Sequence, residues 1–412
     1  MIAASRAVQR PASARLLVID AAGRVTQSPR ARWLDFLERG DLVVANDAAT
    51  LPASLAGVHA RTGQPIEMRL AAWRSPVSGE TAAFDAIVFG SGDYRTRTED
   101  RPSPPELASG DEFVFGTLTA TVVELLDHPR LVRVHFDGSG AAFRQHLAAR
   151  GRPIQYAHVR EPLELWDAWT SIAAVPVAFE PPSAGFVIAW RDVESMRKRG
   201  IGFATLTHAA GLSSTGDAAL DRRLPLDEWY RIPATTAAAI AKACAERMRV
   251  VAIGTTVVRA IEHAASQPGG VRAAERQATQ RIDAQTPLRI VDALVTGTHE
   301  PGSSHHELLR AFASDTVLDA AARTLDRDGY RTHEFGDSML VFADGRAKSR
   351  HAVQACANPL VARSSREAFP VSIATNRRAA AGSRLAMLAA AEYVVVSSNG
   401  AGSDPTSVTP GV

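Results

Sequence analysis

Directly after the apolar run from Ile290 to Val295 comes Thr296-Gly297-Thr298-His299-Glu300-Pro301-Gly302-Ser303-Ser304-His305-His306, three histidines set among hydroxyls and glycines. A polar loop delivered by a buried strand is a common home for binding and catalytic groups. The stretch Thr205-Leu206-Thr207-His208-Ala209-Ala210-Gly211-Leu212-Ser213-Ser214 has the same design, a strand end carrying His208 into a Gly/Ser loop, which suits a general base. Gly254-Thr255-Thr256 follows the strand Val250-Val251-Ala252-Ile253 and opens a helix, so its backbone N–H groups make an anion-accepting corner. Arg259 and Glu262, three apart on that helix, are expected to pair along one face. Pro182-Ser183-Ala184-Gly185 offers a second helix start, either a plain N-cap at Ser183 or N–H groups for a ligand carboxylate. Asp337, in Phe335-Gly336-Asp337-Ser338-Met339-Leu340, either completes the same cleft or serves a turn.

These groups need a scaffold, and the sequence outlines one. Residues 1–57 read as strand, helix, strand: Leu16 to Ile19, Trp33 to Arg39, then Leu42 to Ala45 after the Gly40-Asp41 turn. From 58 to 152 short apolar stretches alternate with turn residues, the texture of a small antiparallel barrel or sandwich. From 153 to 343 helices and strands alternate. A helix is expected from Ser183 to Lys198, another from Ala234 to Arg247, one from Gly254 through His263, and one from Ser304 to Phe312. The fold class expected is therefore α/β, a helix-covered sheet interrupted by an inserted barrel. Residues 344–412, rich in Ala, Ser and Arg, are expected to be a C-terminal extension, partly disordered.

The chain has 412 residues, 46% hydrophobic and 22% charged, with a formal charge of +2. That describes a globular protein of more than one unit with no dense basic face. The tail from 344 holds eight Lys/Arg and four Asp/Glu, leaving 38 against 40 before it. Cys244 and Cys356 are too few for a disulfide framework or a cysteine zinc module, and a cytoplasmic location fits. No apolar run reaches membrane-spanning length; Glu392 breaks the best candidate, Leu385 to Val396. Gly211 to Gly216 has phosphate-loop spacing, but Asp217 stands where a lysine must meet phosphate charge. Thr205 replaces the third glycine of a dinucleotide fingerprint begun at Gly200 and Gly202. Ser303 replaces the second histidine of a zinc-protease helix after His299-Glu300. Kinases, nicotinamide dehydrogenases and zinc hydrolases are disfavoured.

Taken in order, the clusters resemble the S-adenosylmethionine:tRNA ribosyltransferase-isomerase family of queuosine biosynthesis. Ala14 to Leu17, Gly40 to Asn46 and Leu51-Pro52-Ala53 look like its opening. Pro182 to Gly185, Gly254-Thr255-Thr256 with Arg259 and Glu262, the Thr296 to Ser304 loop and Phe335 to Leu340 look like its later signatures. The resemblance covers residues 14 to 343 and implies an α/β domain with an inserted β-barrel. It also implies that S-adenosylmethionine serves as co-substrate and ribosyl donor, with no prosthetic group and no metal. The implied acceptor is an aminomethyl-deazaguanine base in the tRNA anticodon, and the product is epoxyqueuosine. A base removes a proton from the carbon beside the sulfonium, adenine leaves, the amine attacks and methionine is released. His208 or His299 is the expected base, with Glu228 and Asp337 as further acid–base groups. Expected to hold substrate are Asn46, Ser183, Ala184, Gly185, Thr205, Gly211, Gly254, Thr255, Thr256, Arg259, Glu262, Thr296, Thr298, Ser303 and Ser304.

The chain also departs from the family pattern. Gly297-Thr298-His299 stands for Asn-Phe-His, Val187 for a histidine, and Val257 for a serine. A pair of histidines before the Glu228-Trp229-Tyr230 step is absent, and Asp47-Ala48-Ala49-Thr50 replaces an Asn-Thr-Arg run. Two further readings follow from these losses: a relative with a different acceptor, or a non-catalytic S-adenosylmethionine or RNA binding protein on the same scaffold.

Overall fold

Leu42–Asn46 is buried at every position, as befits a strand hydrogen-bonded on both sides and covered on both faces. It pairs in parallel with Gly202–His208 on one side and Val250–Ile253 on the other. Val250–Ile253 pairs in parallel with Ala293–Gly297, so four strands end at the same edge. They form the centre of a nine-stranded mixed sheet. Glu228–Ile232 and Ala274–Ala278 extend one side, and Ser338–Phe342, Arg15–Ile19 and Val25–Pro29 the other. The computed structural model describes residues 1–74 and 82–344; the expected extension and the Leu385 to Val396 segment lie outside the described residues. No helix among the described residues is long and apolar enough to cross a membrane.

Alternation along the strands divides the core in two. Leu17, Val44, Val250, Ala252 and Leu294 pack beneath the helices Ala234–Ala245, Thr255–Ser266 and Asp315–Arg327. Leu16, Val43, Val251, Ile253 and Val295 face Trp33, Leu34, Ile188 and Met196 on the opposite side.

The closed barrel has six antiparallel strands: Ser54–His59, Pro65–Trp73, Ala82–Phe89, Glu112–Phe115, Leu118–Leu125 and Leu131–Phe136. Its first strand begins at Ser54, ahead of the expected edge at 58. The helix Gly140–Arg150 then buries Phe143 and Leu147 in the barrel, with the Phe143 ring 5.0 Å from Phe84 and 4.7 Å from Phe136. Ala48–Thr50 and Val175–Ala178, the segments entering and leaving this unit, lie side by side as a parallel pair. Phe179, Ala209, Ala210 and Leu212 share the barrel's hydrophobic core, which fixes the Gly/Ser loop against it.

Three local expectations are corrected. The helix expected from Ser183 to Lys198 is a 3-10 turn, Ser183–Val187, followed by a separate helix, Trp190–Arg199. Phe186, Val187 and Ile188 are all buried, and a surface helix cannot bury three successive side chains. Trp33 to Arg39 gives a 3-10 segment, Arg30–Phe36. The strand expected from Ile290 begins at Ala293, because a side chain from a neighbouring helix occupies the amides ahead of it.

Candidate active site

The parallel strands deliver His208, Asn46, Gly254 and Thr296 to one edge of the sheet, where open α/β sheets hold their ligands. Asn46 fixes the neighbouring strand there. Its Oδ1 accepts from the His208 and Ala48 amides at 2.9 and 3.0 Å, and its Nδ2 donates to the His208 carbonyl at 2.9 Å. Its side-chain amide thus ties the Leu42–Asn46 strand to the His208 backbone. Thr205 and Thr207 project from the same strand and donate to the two oxygens of Asp47 at 2.9 and 2.7 Å. Burial raises the Asp47 pKa, and the two hydroxyls oppose that rise.

His208 is sealed from solvent, and neither ring nitrogen has a hydrogen-bond partner within the protein. Its ring lies parallel to Tyr230 at 6.5 Å, and its Nε2 is 3.6 Å from Glu228. Burial pushes the His208 pKa down to about 4 despite that carboxylate, so the imidazole is neutral at physiological pH. Glu228 itself accepts from the Gly211 amide at 2.5 Å and from the Arg259 guanidinium. A side chain at Gly211 would place its Cβ 2.8 Å from that carboxylate, so the position needs glycine.

Arg259 is therefore not the partner of Glu262. Its guanidinium reaches across the sheet to Glu228 and donates to the carbonyls of Ala278 and Gln280 at 2.8 and 3.0 Å. Glu262 accepts from the amides of Arg289, Ile290 and Val291 at 2.8, 3.0 and 2.9 Å. Both side chains are buried, so each takes the desolvated partner that the fold presents rather than its neighbour on the helix. Both are engaged by partners within the protein.

The first turn at Thr255-Thr256 keeps its expected place. Gly254 caps it at φ +100°, a conformation that glycine alone adopts freely. The Gly254 backbone faces Ala184, whose Cβ lies 3.4 Å from where a Gly254 side chain would begin. The Ser183-Ala184-Gly185 turn and the Thr255 helix start thus meet, although Pro182, not Ser183, occupies the N-cap and no side chain caps the turn.

The last loop brings His299 to the same edge. Its Nε2 is 2.7 Å from Thr296 Oγ1, and its ring stacks on His305 at 4.7 Å. Burial lowers the His299 pKa well below its ordinary value, and the nearby His305, His306 and His333 lower it further. Unlike His208, His299 is partly exposed. Thr298 donates to the Arg331 carbonyl at 2.6 Å. Ser303 caps the helix Ser304–Leu309 through the His306 amide at 3.2 Å, leaving Ser304 as its first residue. Thr298 and Ser303 therefore shape the loop.

Residues 1–341 match the family model described as queuosine biosynthesis protein. The chain belongs to this family. A Sorangium cellulosum protein is 33% identical over 366 residues, covering 82% of this chain and 94% of the relative. A Bradyrhizobium relative (strain BTAi1) is 31% identical over 356 residues, covering 81% and 93%. Both are named S-adenosylmethionine:tRNA ribosyltransferase-isomerase. A Thermotoga maritima crystal structure titled S-adenosylmethionine tRNA ribosyltransferase aligns over 82% of this chain and 96% of its own, at 22% identity and a TM-score of 0.43.

Asp337 is buried and placed as a clamp between two segments, where the sequence suggested an acid–base group. Its oxygens accept from the Arg15 amide at 2.7 Å, the Arg331 amide at 2.9 Å and the Arg15 guanidinium at 3.0 Å. Backbone and guanidinium donors thus occupy most of the carboxylate's acceptor sites. Sequence reasoning missed a second group of residues in this queuosine biosynthesis family member. Glu180 accepts from the Tyr156 hydroxyl and, at 3.0 Å, from the Ser213 amide. It therefore joins the segment before Pro182-Ser183 to the Gly211 loop. Tyr156 and Glu180 lie 24 residues apart and in segments of different texture, so no local pattern flags them.

Burial pushes the Glu180 pKa up from 4.5 to about 7, with nearby Glu334 adding to the rise. The folded-state value is the higher one, so this group's stabilising contribution is complete below pH 4.5 and is lost as pH rises to 7. The loss amounts to about 3 kcal/mol. Glu180→Gln is expected to match the parent in melting temperature at pH 4.5 and to exceed it at pH 8. An offset that stays constant across that range would contradict the assignment.

Proposed function

We propose that this chain is an S-adenosylmethionine:tRNA ribosyltransferase-isomerase of queuosine biosynthesis. The reading rests on the family match along residues 1–341. The observation that carries it in the fold is the meeting of His299, Thr255-Thr256 and Ser183-Ala184-Gly185 at one sheet edge. The helix start at Thr255 presents N–H groups and a positive dipole end, which suit the methionine carboxylate of the donor. Ribose oxygens would lie toward the Ser183 turn. His299 takes the proton from the 5′ carbon beside the sulfonium, since it is neutral, partly exposed and oriented by Thr296. Adenine then leaves, and the aminomethyl group of the deazaguanine attacks the ribosyl carbon. Closure to the epoxycyclopentane expels methionine. His208, sealed behind Glu228, positions the loop rather than touching substrate.

The acceptor is proposed to be the anticodon base of tRNA. Incubation of the full chain with S-adenosylmethionine and tRNA carrying aminomethyl-deazaguanine is expected to release adenine and methionine and to yield epoxyqueuosine. Tight donor binding without adenine release would favour a binding protein instead. Turnover of the donor with another amine, but not with this tRNA, would redirect the acceptor assignment.

A further inference from the structure

Beyond the residues assigned to ribosyl transfer, His158, His333 and Glu334 converge from segments far apart in sequence. Their ligand-type atoms all lie within 4.8 Å of one another. His158 Nε2 is 3.0 Å from Glu334 Oε2, and the His158 and His333 rings lie face to face at 4.3 Å and 19°. An ion pair between His158 and Glu334 accounts for two of these groups but not for the third. Adjacent residues in extended chain point to opposite sides. Here His333 adopts φ +67°, in a turn closed by the Gly336 amide on the His333 carbonyl at 2.9 Å, and both His333 and Glu334 come to His158. The parallel Tyr156 ring, 6.1 Å from His158, backs the imidazole and holds its orientation.

We propose that His158, His333 and Glu334 bind a divalent transition-metal ion of the zinc class. Two imidazoles and one carboxylate are a donor set that zinc takes with a fourth position left for water or a substrate atom. A hard cation such as magnesium would prefer oxygen ligands alone. Zinc bonds of about 2.0–2.1 Å put tetrahedral ligands about 3.3 Å apart. The His158–Glu334 contact, at 3.0 Å, is close to that spacing, and turning the exposed His333 ring out of its stack would bring the third donor to the ion. The site does not depend on the ribosyl-transfer reading.

The test is calorimetric titration of the chelator-treated full chain with zinc chloride, alongside thermal melting with and without zinc. One equivalent is expected to bind and to raise the melting temperature. His158→Ala, His333→Ala and Glu334→Gln are each expected to lose at least about tenfold in affinity and the thermal shift. Glu334→Gln keeps the side chain's shape, so a loss of zinc with unchanged zinc-free melting cannot be misfolding. Absence of zinc binding by the parent, or unchanged affinity in His158→Ala and Glu334→Gln, overturns the site.

Discussion

Glu228→Ala is expected to cost the fold about 3–5 kcal/mol, because it strips a buried guanidinium of its counter-charge. Arg259 is 4% exposed, and its remaining contacts are neutral carbonyls that cannot replace a carboxylate. The same substitution frees the Gly211 amide and leaves His208 facing a cavity. For a chain of this size the loss lowers the melting temperature by roughly 10 °C. Replacing both partners by apolar residues, Glu228→Leu with Arg259→Met, is expected to recover much of the stability, since no charge then remains unpaired. A Glu228→Ala variant melting within a degree of the parent would refute the buried pair. Catalysis should fall with the stability loss, because Glu228 supports the loop that packs on the barrel.

His299→Ala is expected to reduce turnover by about 10²–10⁴-fold, the range for loss of a positioned general base. Donor binding should persist, because the helix start at Thr255 is untouched. His208→Ala, by contrast, should act mainly through stability, since that ring has no route to substrate. The pH profile gives a separate check. His299 has its pKa lowered well below 6.5 by burial and neighbouring histidines, so its neutral, base-competent form persists as pH falls. The acid limb of kcat should therefore break well below pH 6.5. Full activity in the His299→Ala variant, or an acid limb centred near 6.5, would remove His299 from the mechanism.

Much of the architecture was legible because it is written in local patterns. The run Leu42 to Ala45 is apolar without alternation, which marks a strand covered on both faces, and the strand is fully buried. The short alternating stretches before residue 137 signalled antiparallel pairing, and they close into a barrel. Glycine before two threonines signalled a helix start, and Gly254 caps one at a dihedral that suits glycine. The helix expected from Ser183 failed because period alone cannot tell that Phe186, Val187 and Ile188 would all be needed in the core.

Side-chain partnerships were a different matter. Spacing paired Arg259 with Glu262, but the folded chain gives one to Glu228 and the other to three backbone amides. Composition and order of motifs by themselves determined the α/β class, the inserted barrel and the queuosine biosynthesis family. Only the tertiary structure decided that Asp337 is a clamp, that His208 is sealed while His299 is reachable, and that His158 meets His333 and Glu334. The reason is physical. Strand and helix formation follow from neighbours a few residues away, whereas a buried charge or imidazole takes its properties from whatever the whole fold places within a few ångströms of it.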